Sequence, residues 1–265
     1  MDSSTSPSGI PTTYAYNDAG HTVTATTGAR AVTSTYDGFG RTVKVVVSDG
    51  GVVKSTVDTQ YGPCACSPLG KMTQVSQPYA PGDPVRWTVY SYDASGRTLT
   101  VTAPDGVSTT TYSYSGNVTT VTDPRGNWKQ YTTDSNGNLV LVTEPNPTGG
   151  TTLTTTYTYD ALNHLTGVSM PRGGTTQTRS WTYDAGTQRL TQATAPESGT
   201  TQYVYNADGT PQYKLDQKGQ KTQYTYDQYG RTILIDYYPA GSGQPDLCQE
   251  VTLNYDAFDP GIGGT

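Results

Sequence analysis

Much of what a helical or conventionally cored protein needs is missing from this sequence. There are two Phe, three Trp, three Met, three Cys and two His in 265 residues, and charged residues make up 14%, against about 25% in ordinary globular chains. Leu and Ile are scarce, so no amphipathic helical stripe of Leu, Ala and Glu can be drawn. Three Cys do not make a disulfide scaffold. No apolar run approaches the roughly 20 residues of a membrane span. A basic excess is also missing: the net charge is −6, which argues against nucleic acid as a partner. The opening MDSSTSPSGIPTT has neither the charged nor the apolar region of a signal peptide and reads as a flexible lead-in.

What is abundant is Thr (49), Gly (30) and Tyr (22). Thr, Tyr and Val suit a pleated, half-covered surface. Disorder is the competing reading of low hydrophobicity, but it goes with few aromatics and high net charge. Here aromatics reach 10%, and the pattern is regular.

That pattern is an internal repeat. A Tyr-Asp step, or a variant of it, falls at Tyr16, Tyr36, Tyr61, Tyr92, Tyr114, Thr133, Tyr159, Tyr183, Tyr205, Tyr226 and Tyr255, at intervals of 19 to 31 residues. Each unit opens with an aromatic-x-Tyr pair, such as Tyr90/Tyr92 or Trp181/Tyr183. A spacing of two puts both rings on one face of a strand. Asp-x-x-Gly follows, as in Asp37 to Gly40, Asp93 to Gly96 and Asp227 to Gly230. Asp can accept hydrogen bonds from its own turn, and Gly can take positive φ. Then comes a strand with apolar residues three and five places on, such as Leu99/Val101 and Ile233/Ile235. The unit closes on Pro-x-Gly, at Pro104, Pro124 and Pro171, which fits a type I turn.

The expected fold is therefore all-β: tandem antiparallel hairpins, two strands of about seven residues each. The sheet buries its apolar face by curling over itself into a shell-like spiral, or against neighbouring chain. The repeat region runs over 14–256, between a 1–13 lead-in and a Gly-rich tail at 257–265. At Tyr61 the unit departs from the pattern: Gly62 replaces Asp, and five extra residues enlarge the turn over 62–70 around Cys64 and Cys66.

These residues resemble the YD-repeat, or RHS-repeat, family. The resemblance rests on Tyr36-Asp37-Gly38-Phe39-Gly40-Arg41, Tyr92-Asp93-Ala94-Ser95-Gly96-Arg97 and Tyr226-Asp227-Gln228-Tyr229-Gly230-Arg231. Weaker copies stand at Tyr159-Asp160, Tyr205-Asn206 and Thr133-Asp134, and Tyr183-Asp184 adds another Tyr-Asp step. The resemblance implies repeats wound into a β-sheet shell that encloses a toxic C-terminal polypeptide, or belongs to a wall-associated or teneurin-like surface protein. It therefore implies a non-enzymatic, secreted or cell-surface structural segment. Its partners would be the rest of the shell and the enclosed polypeptide. Members that process themselves end near Asp-Pro-x-Gly; in Asp259-Pro260-Gly261 the Gly comes one place early, so self-cleavage is not carried over.

The acidic turns, Asp134 to Asn138 included, lack the EF-hand spacing and its terminal Glu, and read as Asp capping its own backbone; no metal or other cofactor is expected. His21 and His164 stand where Arg follows the turn Gly, with no Ser or Cys motif placed to use them. Cys64-Ala65-Cys66 could bind metal, close a tight disulfide or be a loop pair; a redox pair or free thiols is the reading adopted, since structural zinc needs four ligands. The Tyr pairs read as rings stacked across neighbouring strands. The alternative function is a carbohydrate-binding adhesin module that recognises cell-surface glycans through Trp87, Trp128, Trp181 and an exposed Tyr ladder.

Overall fold

The structure, a computed structural model, describes residues 3–5 and 11–255, the first three by backbone only. Every regular element in it is a β-strand, and no helix is long and apolar enough to cross a membrane. The chain divides into two units, residues 1–130 and 131–265. The first holds β1 (Ser3–Thr5), β2 (Pro11–Asn17), β3 (Thr22–Thr27), β4 (Arg30–Tyr36), β5 (Thr42–Asp49) and β6 (Val52–Cys64). It continues with β7 (Ser67–Ser76), β8 (Trp87–Tyr92), β9 (Thr98–Thr102), β10 (Thr109–Ser115) and β11 (Val118–Thr122). β12 (Trp128–Thr133) spans the division. The second unit holds β13 (Leu139–Glu144), β14 (Leu153–Tyr159), β15 (Leu165–Arg172), β16 (Thr175–Tyr183) and β17 (Leu190–Ala195). It ends with β18 (Gly199–Tyr205), β19 (Pro211–Leu215), β20 (Lys221–Tyr226), β21 (Thr232–Tyr238) and β22 (Val251–Thr252).

Within each unit, every strand pairs antiparallel with the next in sequence, for example β8–β9–β10–β11 and β14–β15–β16–β17. This is the hairpin array that the repeat predicts. β2 begins at Pro11, ahead of Tyr14, and Ser3–Thr5 pairs with Pro11–Thr13, so part of the lead-in is strand. Asp259-Pro260-Gly261 and the 257–265 tail lie outside the described residues.

The alternation of side chains gives the sheet two unlike faces. Along β10, Tyr112 and Tyr114 are half-buried while Thr111 and Ser113 are exposed. Register carries the division across strands: Tyr90 faces Val101, which faces Thr110, whereas Ser91, Thr100 and Thr111 line up on the other side. Hydroxyl pairs bridge strands, at 2.6 Å for Thr12–Thr27, 3.0 Å for Thr102–Thr109 and 3.0 Å for Thr194–Thr200. Such cross-strand pairs are the sheet's unit of side-chain stabilisation. Among the described residues no apolar side chain is buried; the buried ones are Thr56, Ser76, Thr155 and Asp236.

Two expectations about turns change. Residues 62–70 are not a loop: Gly62 pairs with Lys71 and Cys64 with Ser67, so the extra residues lengthen both strands around the two-residue turn Ala65-Cys66. A disulfide joins Cys64 to Cys66 across it. The backbones can pair this closely because both flanking residues are glycines: a Cβ on Gly70 would lie 2.2 Å from the Gly62 carbonyl oxygen. Pro171-Arg172-Gly173 is not a type I turn either. Pro171 and Arg172 sit in β15, and the turn is Gly173-Gly174, both at positive φ. Paired positive φ matches the twist of a two-residue hairpin. Pro104 and Pro124 do occupy turns of the expected kind, closed by Gly106 N–H to Ala103 O at 2.9 Å and Gly126 N–H to Asp123 O at 3.0 Å.

Candidate functional site: aspartate turns and a tyrosine–cation ladder

The Tyr-Asp-x-x-Gly-Arg stretch closes each hairpin around its Asp. In the Asp93 turn, Gly96 N–H donates to Asp93 O and Asp93 N–H to Arg97 O, both at 2.9 Å. Oδ1 of Asp93 accepts the N–H groups of Ser95 and Arg97, both at 2.9 Å, and Oδ2 accepts Arg97 Nε at 2.7 Å. The same set recurs at Asp37/Gly40/Arg41 and Asp227/Gly230/Arg231. In the Tyr159-Asp160 unit, His164 takes the place of Arg, its Nδ1 2.9 Å from Asp160 Oδ2. In the Tyr183-Asp184 unit the turn is one residue longer, with Gln188 at φ 61 before Arg189. His21 differs from expectation: it holds the positive φ itself, at 49, and so stands in the place of Gly rather than Arg. The return turn at Asp123 uses the same arrangement, with Arg125 and Asn127 N–H on Oδ1 and Asn127 Nδ2 on Oδ2.

At seven of the Tyr-Asp steps the tyrosine belongs to the hairpin before it as much as to its own. Tyr114 donates its hydroxyl to Thr98 O at 2.7 Å, across the preceding turn. The β9–β10 ladder stops at the Thr100–Thr111 pair, two residues short of Thr98, so the hydroxyl replaces a missing ladder bond. Tyr61 does this to Thr42, Tyr92 to Met72, Tyr159 to Leu139, Tyr183 to Leu165, Tyr205 to Leu190 and Tyr226 to Pro211. A β-bulge lies beside the capped carbonyl, in the pairing of its strand with the strand before. Register slips by one residue at Val43, Thr73, Leu99, Thr166, Thr191 and Gln212, each just beyond the capped carbonyl. Bulges bend and twist a strand locally.

In several units the residue after the turn Gly lies over the tyrosine ring of the next Tyr-Asp step. Arg97 sits 4.3 Å from the Tyr114 centroid, Arg41 4.1 Å from Tyr61, Lys71 4.8 Å from Tyr92 and Arg231 4.7 Å from Tyr255. His164 stacks on Tyr183 at 4.6 Å. The expected stacking of Tyr on Tyr is thus corrected: a cation or imidazole lies on the ring. Aspartate holds the cation, and the cation covers the next unit's tyrosine. The hydroxyl role was legible in principle, because Tyr fills ten of the eleven repeat positions in a chain with only two Phe; a ring needed only for packing would accept Phe.

Chemically, these carboxylates are committed to their own turns. The Arg41 guanidinium holds Asp37 below the usual carboxylate range, as the Arg97 backbone N–H and then its side chain do for Asp93. Asp123 is lowered chiefly by Asn127 and Asp184 by the Thr187 backbone. Asp134 is held in the same way by Asn136 and Asn138 rather than left open as a metal loop. A carboxylate whose folded pKa is depressed stabilises the fold above its unfolded pKa of about 3.9, and that stability is lost as pH falls through the folded value. The urea midpoint is therefore expected to be flat from about pH 7 to 5 and to fall steadily below about pH 4. A midpoint unchanged down to about pH 2 would show the turn carboxylates to be dispensable.

The remaining sequence candidates are not assembled into a site. Cys64 and Cys66 form their disulfide against the next turn, and Cys248 is exposed and free. Trp87, Trp128 and Trp181 are half-buried on β8, β12 and β16, no two on neighbouring strands.

The RHS Repeat family model matches residues 88–127 and 134–175, the stretches built around Tyr92 to Tyr114 and Asp134 to Tyr159. Those two stretches match RHS repeats. No curated protein matches it in sequence. Among solved structures, "Crystal Structure of TcdB2-TccC3-TEV" superposes with a TM-score of 0.64 at 16% identity, over 89% of this chain and 14% of that one. The Photorhabdus luminescens Tc holotoxin pore superposes with a TM-score of 0.62 at 16% identity, over the same 89% and 14%. At that identity the likeness is one of fold, and this chain spans a small part of those proteins' length.

Proposed function

We propose that this chain is one stretch of a larger RHS-repeat wall that encloses or presents a C-terminal polypeptide. The observation that carries the reading is that no apolar side chain is buried among the described residues. The chain exposes 17076 Å², whereas a self-contained protein of 28.3 kDa exposes roughly 11,000 Å². Its stability comes from ladders, turns and the tyrosine–cation contacts, and its Tyr/Val face is left for further chain to cover. The two Tc complexes named above, of which this chain matches 14%, support a role inside a longer assembly. The Cys64–Cys66 disulfide fits delivery to an oxidising, extracellular setting. The partners are then the rest of the repeat wall and the polypeptide within it.

Limited proteolysis of the complete gene product tests this. The polypeptide downstream of the repeats should resist digestion while the repeats are intact and be cleaved rapidly when expressed without them. Equal cleavage rates in both forms would overturn the proposal.

A further inference from the structure

The Cys64–Cys66 disulfide closes a loop with a single residue between its cysteines. A cross-link stabilises a fold more the longer the loop it closes, so this bond removes little freedom from the unfolded chain. The hairpin it crosses is already held in register by the pairs Gly62–Lys71 and Cys64–Ser67. Stability is therefore a poor reason for two cysteines at this tip.

The surroundings of the two sulfurs differ. Cys64 stands between the exposed Pro63 and Ala65, and its Sγ accepts Cys66 N–H at 3.2 Å. Cys66 lies against the neighbouring turn: a Cβ built on Gly96 would meet Cys66 Sγ at 2.7 Å and Lys71 Cε at 3.4 Å. Lys71 reaches that glycine from β7, its Nζ donating to Gly96 O at 2.6 Å and lying 4.8 Å from the Tyr92 centroid. The carboxylate of the same turn, Asp93, is bound by Arg97. The Lys71 ammonium thus rests on a neutral carbonyl, against the glycine that also seats Cys66. A neighbouring cation favours thiolate over thiol.

We propose that Cys64–Cys66 is a thiol–disulfide exchange site that accepts electrons from a dithiol. One thiolate of the dithiol attacks Cys64 Sγ, the less covered sulfur. The Cys64–Cys66 bond breaks, and Cys66 leaves as a thiolate beside the Lys71 ammonium. The second thiolate of the reductant then displaces Cys64 from the mixed disulfide. The reductant is oxidised to its own disulfide, and its two protons pass to Cys64 and Cys66. A leaving thiol of lower pKa leaves faster, which is what the Lys71 charge supplies. This activity lies beyond the wall function and does not depend on it.

Dithiothreitol reduction of the full chain carrying Cys248→Ser, read by maleimide trapping and mass spectrometry near neutral pH, tests the proposal. A merely structural disulfide is shielded by folding, whereas a poised one is activated by it. The folded chain should therefore be reduced at least about fivefold faster than the same chain unfolded in urea. Lys71→Gln should slow reduction of the folded chain about fivefold, with a urea midpoint near the parent's, and Lys71→Arg should keep the rate within about twofold of the parent's. Lys54→Gln, exposed at the other end of β6, should leave it unchanged. Reduction of the folded chain no faster than in urea, or a Lys71→Gln rate equal to the parent's, would overturn the assignment. Equal slowing by Lys71→Arg and Lys71→Gln would show packing rather than charge at work and would overturn it too.

Discussion

Gly96→Val is expected to be the most damaging single substitution in the Tyr92 unit, lowering stability by about 2–6 kcal/mol. Two causes add. Gly96 adopts φ +80, and a β-branched side chain held there costs roughly 1–3 kcal/mol in strain. A Cβ would also lie 2.7 Å from Cys66 Sγ and 2.9 Å from Cys66 Cβ, and forcing atoms into filled space costs roughly 1–3 kcal/mol. Gly40 separates the two, because it has φ +76 in the same motif but nothing within 4 Å of a built Cβ. Gly40→Val should therefore cost only the strain. Replacing Cys66 with Gly in the Gly96→Val background should recover part of the clash, so that the double variant is more stable than additivity allows. Denaturant midpoints for Gly96→Val, Gly40→Val, Cys66→Gly and the double variant measure this; equal effects of Gly96→Val and Gly40→Val would remove Cys66 from the explanation.

Tyr114→Ala is expected to cost about 2–3 kcal/mol, although Tyr114 lies in no conventional core. The change removes a half-buried ring, the hydroxyl that caps Thr98 O and the face on which Arg97 rests. Tyr114→Phe isolates the hydroxyl and should cost about 0.5–1.5 kcal/mol. Arg97→Ala should be milder than Tyr114→Ala, since the Arg97 side chain is 50% exposed and exposed ion pairs contribute little. The ladder requires coupling: a double-mutant cycle between Arg97→Ala and Tyr114→Ala should return about 0.5–1 kcal/mol. Zero coupling, with Tyr114→Phe as stable as the parent, would mean that the repeats are joined by main chain alone.

Several features of the turns were legible because their causes are local. Asp93, Gly96 and Arg97 interact within five consecutive residues, and the chemistry of an Asp that caps its own backbone needs no distant partner. The hairpin array follows in the same way from alternation and punctuation by Gly. What misled was the reading of inserted residues as loop. Five extra residues around Cys64 lengthen a hairpin as readily as they enlarge a turn, and the choice depends on whether two backbones can approach. Gly62 and Gly70 allow that approach, but they meet only in the folded hairpin. Pro171 misled for a similar reason: the Gly173-Gly174 pair behind it supplied a better two-residue turn.

By itself, then, the sequence determined the element type, the hairpin repeat and the self-contained aspartate turns, because period and turn chemistry act over a few residues. Only tertiary structure decided what joins one repeat to the next. Tyr114 reaches Thr98 sixteen residues back, and Arg97 covers a ring seventeen residues ahead. Those meetings depend on strand register and on the bulge at Leu99.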